Sequence, residues 1–257
     1  MISYIFHLVV YNPLYNALVF LIDVVPGHNV GVVVVLLTCI VMLILFPLSR
    51  SSVRTQLEMK LMEPELAKIR ERNKGNKQQE AQEMMDFYKK NKINPFSTVF
   101  LTFIQIPIIL GLYFIFYRGG LPIIDKSILY SFVANPLTVN MHFIGMDIAK
   151  ASIVLGFLAA LTQFFQGWFS VPAFTPSPKS ADSSGKPSFK DDFARSMNIQ
   201  IRYVIPVFIF LFSFKVSGAV CLYWATKSIF MVGQELVIRH TVRKPIENRN
   251  TTTTAVR

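Results

Sequence analysis

Two long apolar runs without a charged side chain, at residues 31–48 and 96–117, flank a charged segment at residues 49–95. An α-helix rises about 1.5 Å per residue, and the hydrocarbon layer of a bilayer is about 30 Å thick. A run of about 18 or more apolar residues can therefore cross this layer as a helix. The two runs predict transmembrane helices, and the charged segment is expected to be a solvated loop held at the membrane at both ends.

The composition favours a membrane protein over a soluble domain. Of the 257 residues, 52% are hydrophobic and only 16% are charged, which is typical of a multispan protein. The formal net charge of +11 is also found in proteins that bind DNA, but cytoplasmic loops collect Lys and Arg as well, so we favour membrane topology over DNA binding. No catalytic, metal-binding or nucleotide-binding motif occurs in the sequence, and we predict neither an enzyme nor a cofactor.

The charged segment at residues 49–95 has helical periodicity on both sides of a central turn at residues 73–76. Apolar side chains recur on one face before the turn, and again after it from Ala81 to Tyr88. This pattern predicts a cytoplasmic helical hairpin of about 45 residues. It is either a solvated spacer or a docking arm for a partner, and the periodicity does not separate the two.

Residues 1–30 carry no Lys or Arg, unlike a signal or transit peptide, and are interpreted as part of the mature protein. From Leu14, apolar residues recur at helical spacing until Pro26 and Gly27 break the pattern. We expect an external helix that lies in the membrane interface. The alternative, a short additional crossing, would invert the orientation derived below.

The second half of the chain contains three further predicted spans. Residues 152–171 form one apolar run, and the Pro- and Ser-rich stretch after it predicts a flexible loop. Residues 197–238 would be about 63 Å long as one helix, so they must fold back, most naturally near Lys215 to Gly218. The predicted fold is all-α and polytopic. Its segments are an N-terminal interfacial helix (1–30), five transmembrane helices (31–48, 96–117, 152–171, 197–214 and 217–238), the cytoplasmic hairpin (49–95), an external loop (118–151), a cytoplasmic flexible loop (172–196) and a basic cytoplasmic tail (239–257).

The distribution of basic residues sets the orientation. With the N-terminus outside, 21 of the 26 Lys and Arg residues fall in cytoplasmic segments and four fall in external ones. The remaining one, Lys227, lies within the fifth span. Since cytoplasmic loops are enriched in basic residues, the protein is predicted to have its N-terminus outside and its C-terminus in the cytoplasm.

Polar side chains inside the spans are the best sequence indicators of function, because an unpaired polar group is costly in hydrocarbon. Lys227 lies about 15 Å below Ser217, near mid-membrane, and indicates a water-filled cavity. The alternatives are a side chain that snorkels to the interface and a span whose boundary lies elsewhere. Gln105 is close to Pro107, which frees a backbone carbonyl. The other polar residues in the spans are Thr38, Thr98, Thr102, Gln163, Gln166, Ser213, Thr226, Ser228 and Gln234.

Local motifs along nearly the whole chain resemble those of the YidC/Oxa/Alb membrane protein insertases. They are Phe46-Pro47-Leu48-Ser49, Met62-Glu63-Pro64-Glu65, Ile69-Arg70-Glu71-Arg72, Gln82-Glu83-Met84-Met85 with Tyr88, Ile93-Asn94-Pro95, Ile104-Gln105-Ile106-Pro107-Ile108, Met197 with Gln200, Tyr203 and Pro206, and Leu222-Tyr223-Trp224. Five spans with a cytoplasmic hairpin after the first is also the layout of that family.

The resemblance implies a hydrophilic groove, open to the cytoplasm and to lipid, that receives the polar parts of a nascent transmembrane segment. Family positions in the groove correspond to Thr38, Gln105, Tyr223 and Trp224. The family usually places an arginine in the first span where this sequence has Met42. We hypothesise that Lys227 supplies the missing charge from another helix at a similar depth.

The resemblance further implies that the hairpin and the tail contact partners. The hairpin residues assigned to docking are Glu65, Arg70, Arg72, Met84, Met85 and Tyr88. Nascent membrane proteins and bilayer lipid are the expected partners, the Sec translocon and the ribosome are further candidates, and the bacterial plasma membrane is the expected location. Because the basic tail is short, we favour a positive-inside anchor over ribosome binding as the explanation of its charge.

Two other functions share some of these features. A small-solute or ion transporter could use Lys227 and the glutamines as a binding site, but five spans do not supply symmetric inverted repeats. An assembly chaperone for membrane complexes, without insertion activity of its own, would share every sequence feature.

Overall fold

The computed structural model describes residues 2–73, 75–91, 93–94, 97–117, 121–170 and 199–254. This part of the chain is mostly helical, which confirms the helical class expected from sequence. It divides into two compact units, one made of Met1–Met42 and Pro107–Val232 and the other of Leu43–Ile106 and Gly233–Arg257. The predicted flexible loop at residues 172–196 lies outside the described residues.

The helices have the following bounds. Those of the first half are α1 (Ile2–Phe6), α2 (Asn12–Val24), α3 (Val30–Ile44), α4 (Phe46–Leu61), α5 (Glu63–Arg72) and α6 (Lys77–Lys90). Those of the second half are α7 (Ser97–Tyr117), α8 (Ile153–Ser170), α9 (Ile205–Ser213) and α10 (Gly218–Thr254). Two π-helical turns, His7–Tyr11 and Gln200–Val204, lie between α1 and α2 and before α9. Strands β1 (His142–Phe143) and β2 (Met146–Asp147) pair in an antiparallel hairpin.

The first predicted span is interrupted. Helix α3 ends at Ile44 and α4 begins at Phe46, so residues 31–48 are not one straight helix. The cause is Pro47, which has no N–H and whose ring clashes with the carbonyl four residues earlier, at Leu43. Pro47 is tolerated in the first turn of α4, where no intrahelical partner is needed.

By length and apolar composition, one described helix qualifies as a membrane span. It is Tyr4–Val24, with 21 residues and a mean hydropathy of 1.7, and it lies near the N-terminus. The pair Val30–Ile44 and Phe46–Thr55 qualifies as a second if it is counted as one bent span. The apolar helical stretches Phe103–Tyr117, Ile153–Phe169 and Gln200–Ser213 are shorter. The five-span arrangement therefore stays a prediction.

The N-terminal helical segment packs against α7. The ring centroids of Phe6 and Phe114 lie 6.1 Å apart, and a Cβ atom placed on Gly111 would lie 2.9 Å from Leu14 Cδ1 and 3.3 Å from Val10 Cγ1. Later residues of the N-terminal segment thus meet earlier residues of α7, so the two run in opposite directions along this contact.

The buried side chain of Asn16 joins α2 to the loop at residues 121–152. Its Nδ2 donates to the carbonyl of Ile128 over 2.9 Å, and its Oδ1 accepts from the N–H of Tyr130 over 2.6 Å. Close by, the hydroxyl of Tyr15 accepts a hydrogen bond from the N–H of Asp125 over 2.8 Å. The loop is thereby fixed along one face of α2.

Replacing Asn16 with alanine is expected to loosen this loop, because it leaves a carbonyl and an N–H without their partner. The loss of stability should be about 1–3 kcal/mol, the usual cost of an unsatisfied buried polar group. Hydrogen–deuterium exchange at residues 125–131 is the measurement, and Asn135→Ala, at an exposed position of the same loop, is the matched control. Unchanged exchange in Asn16→Ala would contradict the assignment.

Helices α8 and α9 pack against each other in antiparallel fashion at very short range. A Cβ atom on Gly156 would lie 2.1 Å from Ser213 Oγ, and one on Gly167 would lie 3.0 Å from the carbonyl oxygen of Ile201. Phe157 and Phe210 meet edge to face, with ring centroids 6.4 Å apart. Small residues that let helix backbones approach are the usual device for helix association in membranes.

The loop at residues 121–152 also covers the start of α10. The N–H of Gly218 donates to the carbonyl of Lys150 over 2.7 Å, and that of Ala219 to the carbonyl of Ile148 over 3.1 Å. The first N–H groups of a helix have no partner within it, so these bonds cap α10. At the hairpin of β1 and β2, the ring of Phe143 lies directly over Gly31, where a Cβ atom would be 2.3 Å from it.

The second unit contains the helical hairpin predicted for residues 49–95. Leu66 of α5 packs with Tyr88 of α6 and with Ile93 in a small core. Across the hairpin, Arg72 forms an ion pair with Glu83. At the turn, the Asn76 side chain accepts a hydrogen bond from the N–H of Gln79 over 3.2 Å and caps α6.

Candidate functional site

The candidate site is the part of α10 where Lys227 follows Trp224 by three residues and Tyr223 by four, so that its side chain neighbours both on the helix surface. Tyr223 is buried in the core of the first unit, whereas Trp224 and Lys227 are half-buried. The Trp224 ring meets Phe212 of α9 edge to face, with centroids 6.3 Å apart. This face presents a cation and an indole together.

Lys227 has no countercharge in the described part of the chain. No described carboxylate lies within ion-pair distance of its ammonium group, and no described side chain accepts a hydrogen bond from it. A lysine near the middle of a membrane helix costs about 2.5–3.5 kcal/mol on insertion scales. If the predicted fifth span is a membrane helix, Lys227 bears this cost, which makes it a candidate functional residue.

Two glutamines of α8 extend the polar region. Gln163 Oε1 accepts a hydrogen bond from Ser228 of α10 over 3.3 Å, which places it beside the residue next to Lys227. Gln166 lies three residues further along α8, and its Oε1 is buried without a hydrogen-bond partner among the described residues. The sequence shows both glutamines, but only the structure pairs α8 with α10 at this level.

The predicted groove residues of α3 are packed. Thr38 and Met42 are 1% and 2% exposed. The Thr38 hydroxyl donates to the carbonyl of Val34 over 2.6 Å, within its own helix. Together with buried Tyr223, these residues form part of the packed interior and not an open polar wall.

Gln105 belongs to the second unit and is half-buried on α7. Pro107 lies inside this helix, and because it has no N–H, the carbonyl of Phe103 loses its usual partner. The freed carbonyl expected from the sequence therefore lies within a continuous helix, two residues before Gln105. The side chains of Thr98 and Thr102 lie outside the described part of the structure.

The hairpin residues assigned to docking differ in exposure. Glu65, Arg70 and Arg72 are exposed, Met85 is 37% exposed and Met84 is half-buried. The assignment of Tyr88 to the docking surface is corrected, because this side chain is only 8% exposed and packs in the hairpin core. Burial also raises the pKa of its hydroxyl. Its periodic spacing marked it as a helix-face residue, and that face points inward. Arg72 also has a local role through its ion pair with Glu83.

At the other end of α8, a cation contacts an aromatic ring. The guanidinium carbon of Arg202 lies 5.0 Å from the ring centroid of Trp168. Such contacts contribute about 0.5–1 kcal/mol at exposed sites. The arrangement suits a membrane boundary, where Trp and Arg are both favoured.

Comparison with known proteins gives the chain its family. The family model described as "60Kd inner membrane protein" matches residues 20–245. A protein of Clostridium tetani (strain Massachusetts / E88), named membrane protein insertase YidC, is 27% identical over 225 residues, which are 88% of this chain and 88% of that protein. A protein of the same name from Francisella tularensis subsp. novicida (strain U112) is 29% identical over 214 residues, or 82% of this chain. The chain spans 33% of the length of that relative. This chain belongs to the 60Kd inner membrane protein family, the family of the YidC insertases.

Proposed function

We propose that this protein is a membrane protein insertase of the bacterial inner membrane. The observation that carries the proposal is the unpaired, half-buried Lys227 beside the contact between Gln163 and Ser228, within largely apolar stretches of α8 and α10. Relatives at 27–29% identity bear the name of that activity. Nascent membrane proteins are the substrates, and lipid receives the product.

The mechanism follows from the cost of desolvation. A transmembrane segment can insert only if its short polar flank crosses the hydrocarbon layer, where each unsatisfied polar group costs several kcal/mol. Polar groups on α8 and α10 shorten the dry path, and the Lys227 charge attracts acidic groups of the client. Burial of the apolar segment in lipid then drives the reaction at about 25 cal/mol per Å². Nucleotide hydrolysis is not required.

The proposed topology has five spans with the N-terminus outside. It rests on the charge distribution of the loops. We place α2 in the interface because its Asn16 side chain bonds to the loop at residues 121–152, although Tyr4–Val24 is long enough to span the bilayer. In this topology the loop at residues 118–151 is external, and the hairpin and the tail at residues 239–257 are cytoplasmic.

The exposed charges of the hairpin are the proposed partner surface. Glu65 and Arg70 are exposed on α5, and Met85 adds an exposed apolar contact on α6. The Sec translocon and the ribosome are the proposed partners of this surface and of the basic tail. Charged groups that steer association act mainly on its rate.

Reconstitution of the purified protein into liposomes tests the function. Unaided insertion of a small single-span client, measured by protease protection of its external tail, is the expected result. Solute uptake without insertion would indicate a transporter. If neither occurs, and the protein only prevents aggregation of a client, the proposal fails in favour of an assembly chaperone.

A further inference from the structure

A cavity of about 210 Å³ lies between the end of α7 and the turn that joins α9 to α10. Its lining includes Tyr113 and Tyr117 of α7, Phe214, Lys215 and Ser217 of the turn, and Val220 of α10. With Ala149 and Ala151 of the loop before α8, the site is built from three separate stretches of the first unit.

The polar groups of this cavity suit an anion. Lys215 is exposed and supplies a positive charge. The Oγ atom of Ser217 is buried and has no hydrogen-bond partner among the described residues, although a hydroxyl normally finds one when it is buried. An oxyanion in the cavity would accept a hydrogen bond from Ser217 and an ion pair from Lys215.

The surroundings of the cavity suit a lipid. The rings of Tyr113 and Tyr117 stack with centroids 5.2 Å apart, and tyrosine is enriched where membrane meets water. Along α9, Val207, Phe208 and Leu211 are each about 60% exposed and continue away from the cavity mouth. They offer an apolar track on which acyl chains can lie while the headgroup is held at the cavity.

We propose that this cavity binds the phosphate of a phospholipid through Lys215 and Ser217, with the acyl chains along α9. The site is distinct from the polar face of α10 at Lys227, and it does not depend on which side of the membrane faces the cytoplasm. Its volume fits a headgroup fragment and not a whole lipid, because pockets that enclose drug-sized molecules begin at about 300 Å³.

Native mass spectrometry of the full-length protein, released from phosphatidylglycerol nanodiscs, tests the proposal. Lys215→Met is expected to lower the retained lipid about tenfold, and Ser217→Ala a few-fold, in line with the loss of one charged and one neutral contact. Ala151→Trp, at the rim of the cavity, should block the site sterically. Lys126→Met, at an exposed lysine of the same loop region that does not line this cavity, is the matched control and should retain lipid normally.

Two results would overturn the proposal. Lipid retention by Lys215→Met and Ala151→Trp at the level of the unchanged protein would show that the cavity holds no headgroup. Equal affinity for phosphatidylglycerol and for soluble glycerophosphoglycerol would indicate a site for a free phosphate compound and not for a lipid. Client insertion measured in parallel separates this outcome from failure of the insertase function.

Discussion

Replacing Gly156 with alanine is expected to destabilise the protein by about 2 kcal/mol, and replacing it with leucine is expected to prevent folding. The added Cβ would lie 2.1 Å from Ser213 Oγ and 2.5 Å from Ser213 Cβ, so α8 and α9 must separate. Overpacking of this kind typically costs about 1–3 kcal/mol, and the wider gap also weakens the contact between Phe157 and Phe210. Unfolding in mixed detergent micelles, followed by the fluorescence of Trp168 on α8, measures the free energy.

A control and a rescue make this prediction specific. Gly233→Ala adds the same methyl group to α10, where nothing lies within 4 Å, and should stabilise the helix slightly. Ser213→Gly removes both atoms that clash and leaves the Ser213 Cα at 4.0 Å as the nearest neighbour. The double variant Gly156→Ala/Ser213→Gly should therefore recover most of the loss. Equal stability of Gly156→Ala and Gly233→Ala would refute the close packing.

The sequence predicts elements better than it predicts contacts. The apolar runs at residues 96–117 and 152–171 coincide with α7 and α8 to within one or two residues, because hydrophobicity and helix length are local properties. The hairpin at residues 49–95 is likewise visible in its periodicity. The break between α3 and α4 at Leu45 is not predicted. From sequence alone, Pro47 is equally consistent with a straight helix that ends near this proline.

The candidate site shows the limit more clearly. Lys227 is conspicuous in the sequence because charges are rare in spans. The contact between Gln163 and Ser228 joins positions 65 residues apart and depends on how α8 packs, which periodicity does not encode. Conversely, Thr38 and Met42 occupy family groove positions, yet the structure packs both in the interior. The position of a residue in a motif predicts which helix carries it and how far along that helix it lies, but it does not predict whether its side chain is exposed.

Replacing Lys227 with methionine is expected to lower insertion of a single-span client at least tenfold while leaving the protein as stable or more stable. Methionine keeps the unbranched stem and removes only the charge. In the proposed five-span topology Lys227 lies near mid-membrane, so its replacement removes a penalty of about 2.5–3.5 kcal/mol and stability should not fall. The variant also loses the attraction of Lys227 for hydrated or acidic client groups, which should raise the activation free energy of insertion by a similar amount. An increase of about 1.4 kcal/mol already lowers the rate tenfold.

The opposite signs of the two effects distinguish a functional lysine from a structural one. A lysine that held α10 in place would lose stability and insertion together, and a lysine that only snorkelled to the interface would change neither. Lys227→Arg keeps the charge and should retain most of the activity, although its planar group is larger and differently hydrated. Lys126→Met, at an exposed site away from α10, controls for loss of a positive charge in general.

The client can be varied as well as the protein. A client whose short external tail carries two acidic residues should suffer more from Lys227→Met than one with a neutral tail, because Coulomb attraction in a medium of low dielectric constant is strong at short range. Raising the salt concentration should reduce this difference only weakly, since a partly buried charge is poorly screened. Protease protection of both clients in liposomes gives the two rates. Undiminished insertion of the acidic client by Lys227→Met would remove Lys227 from the mechanism.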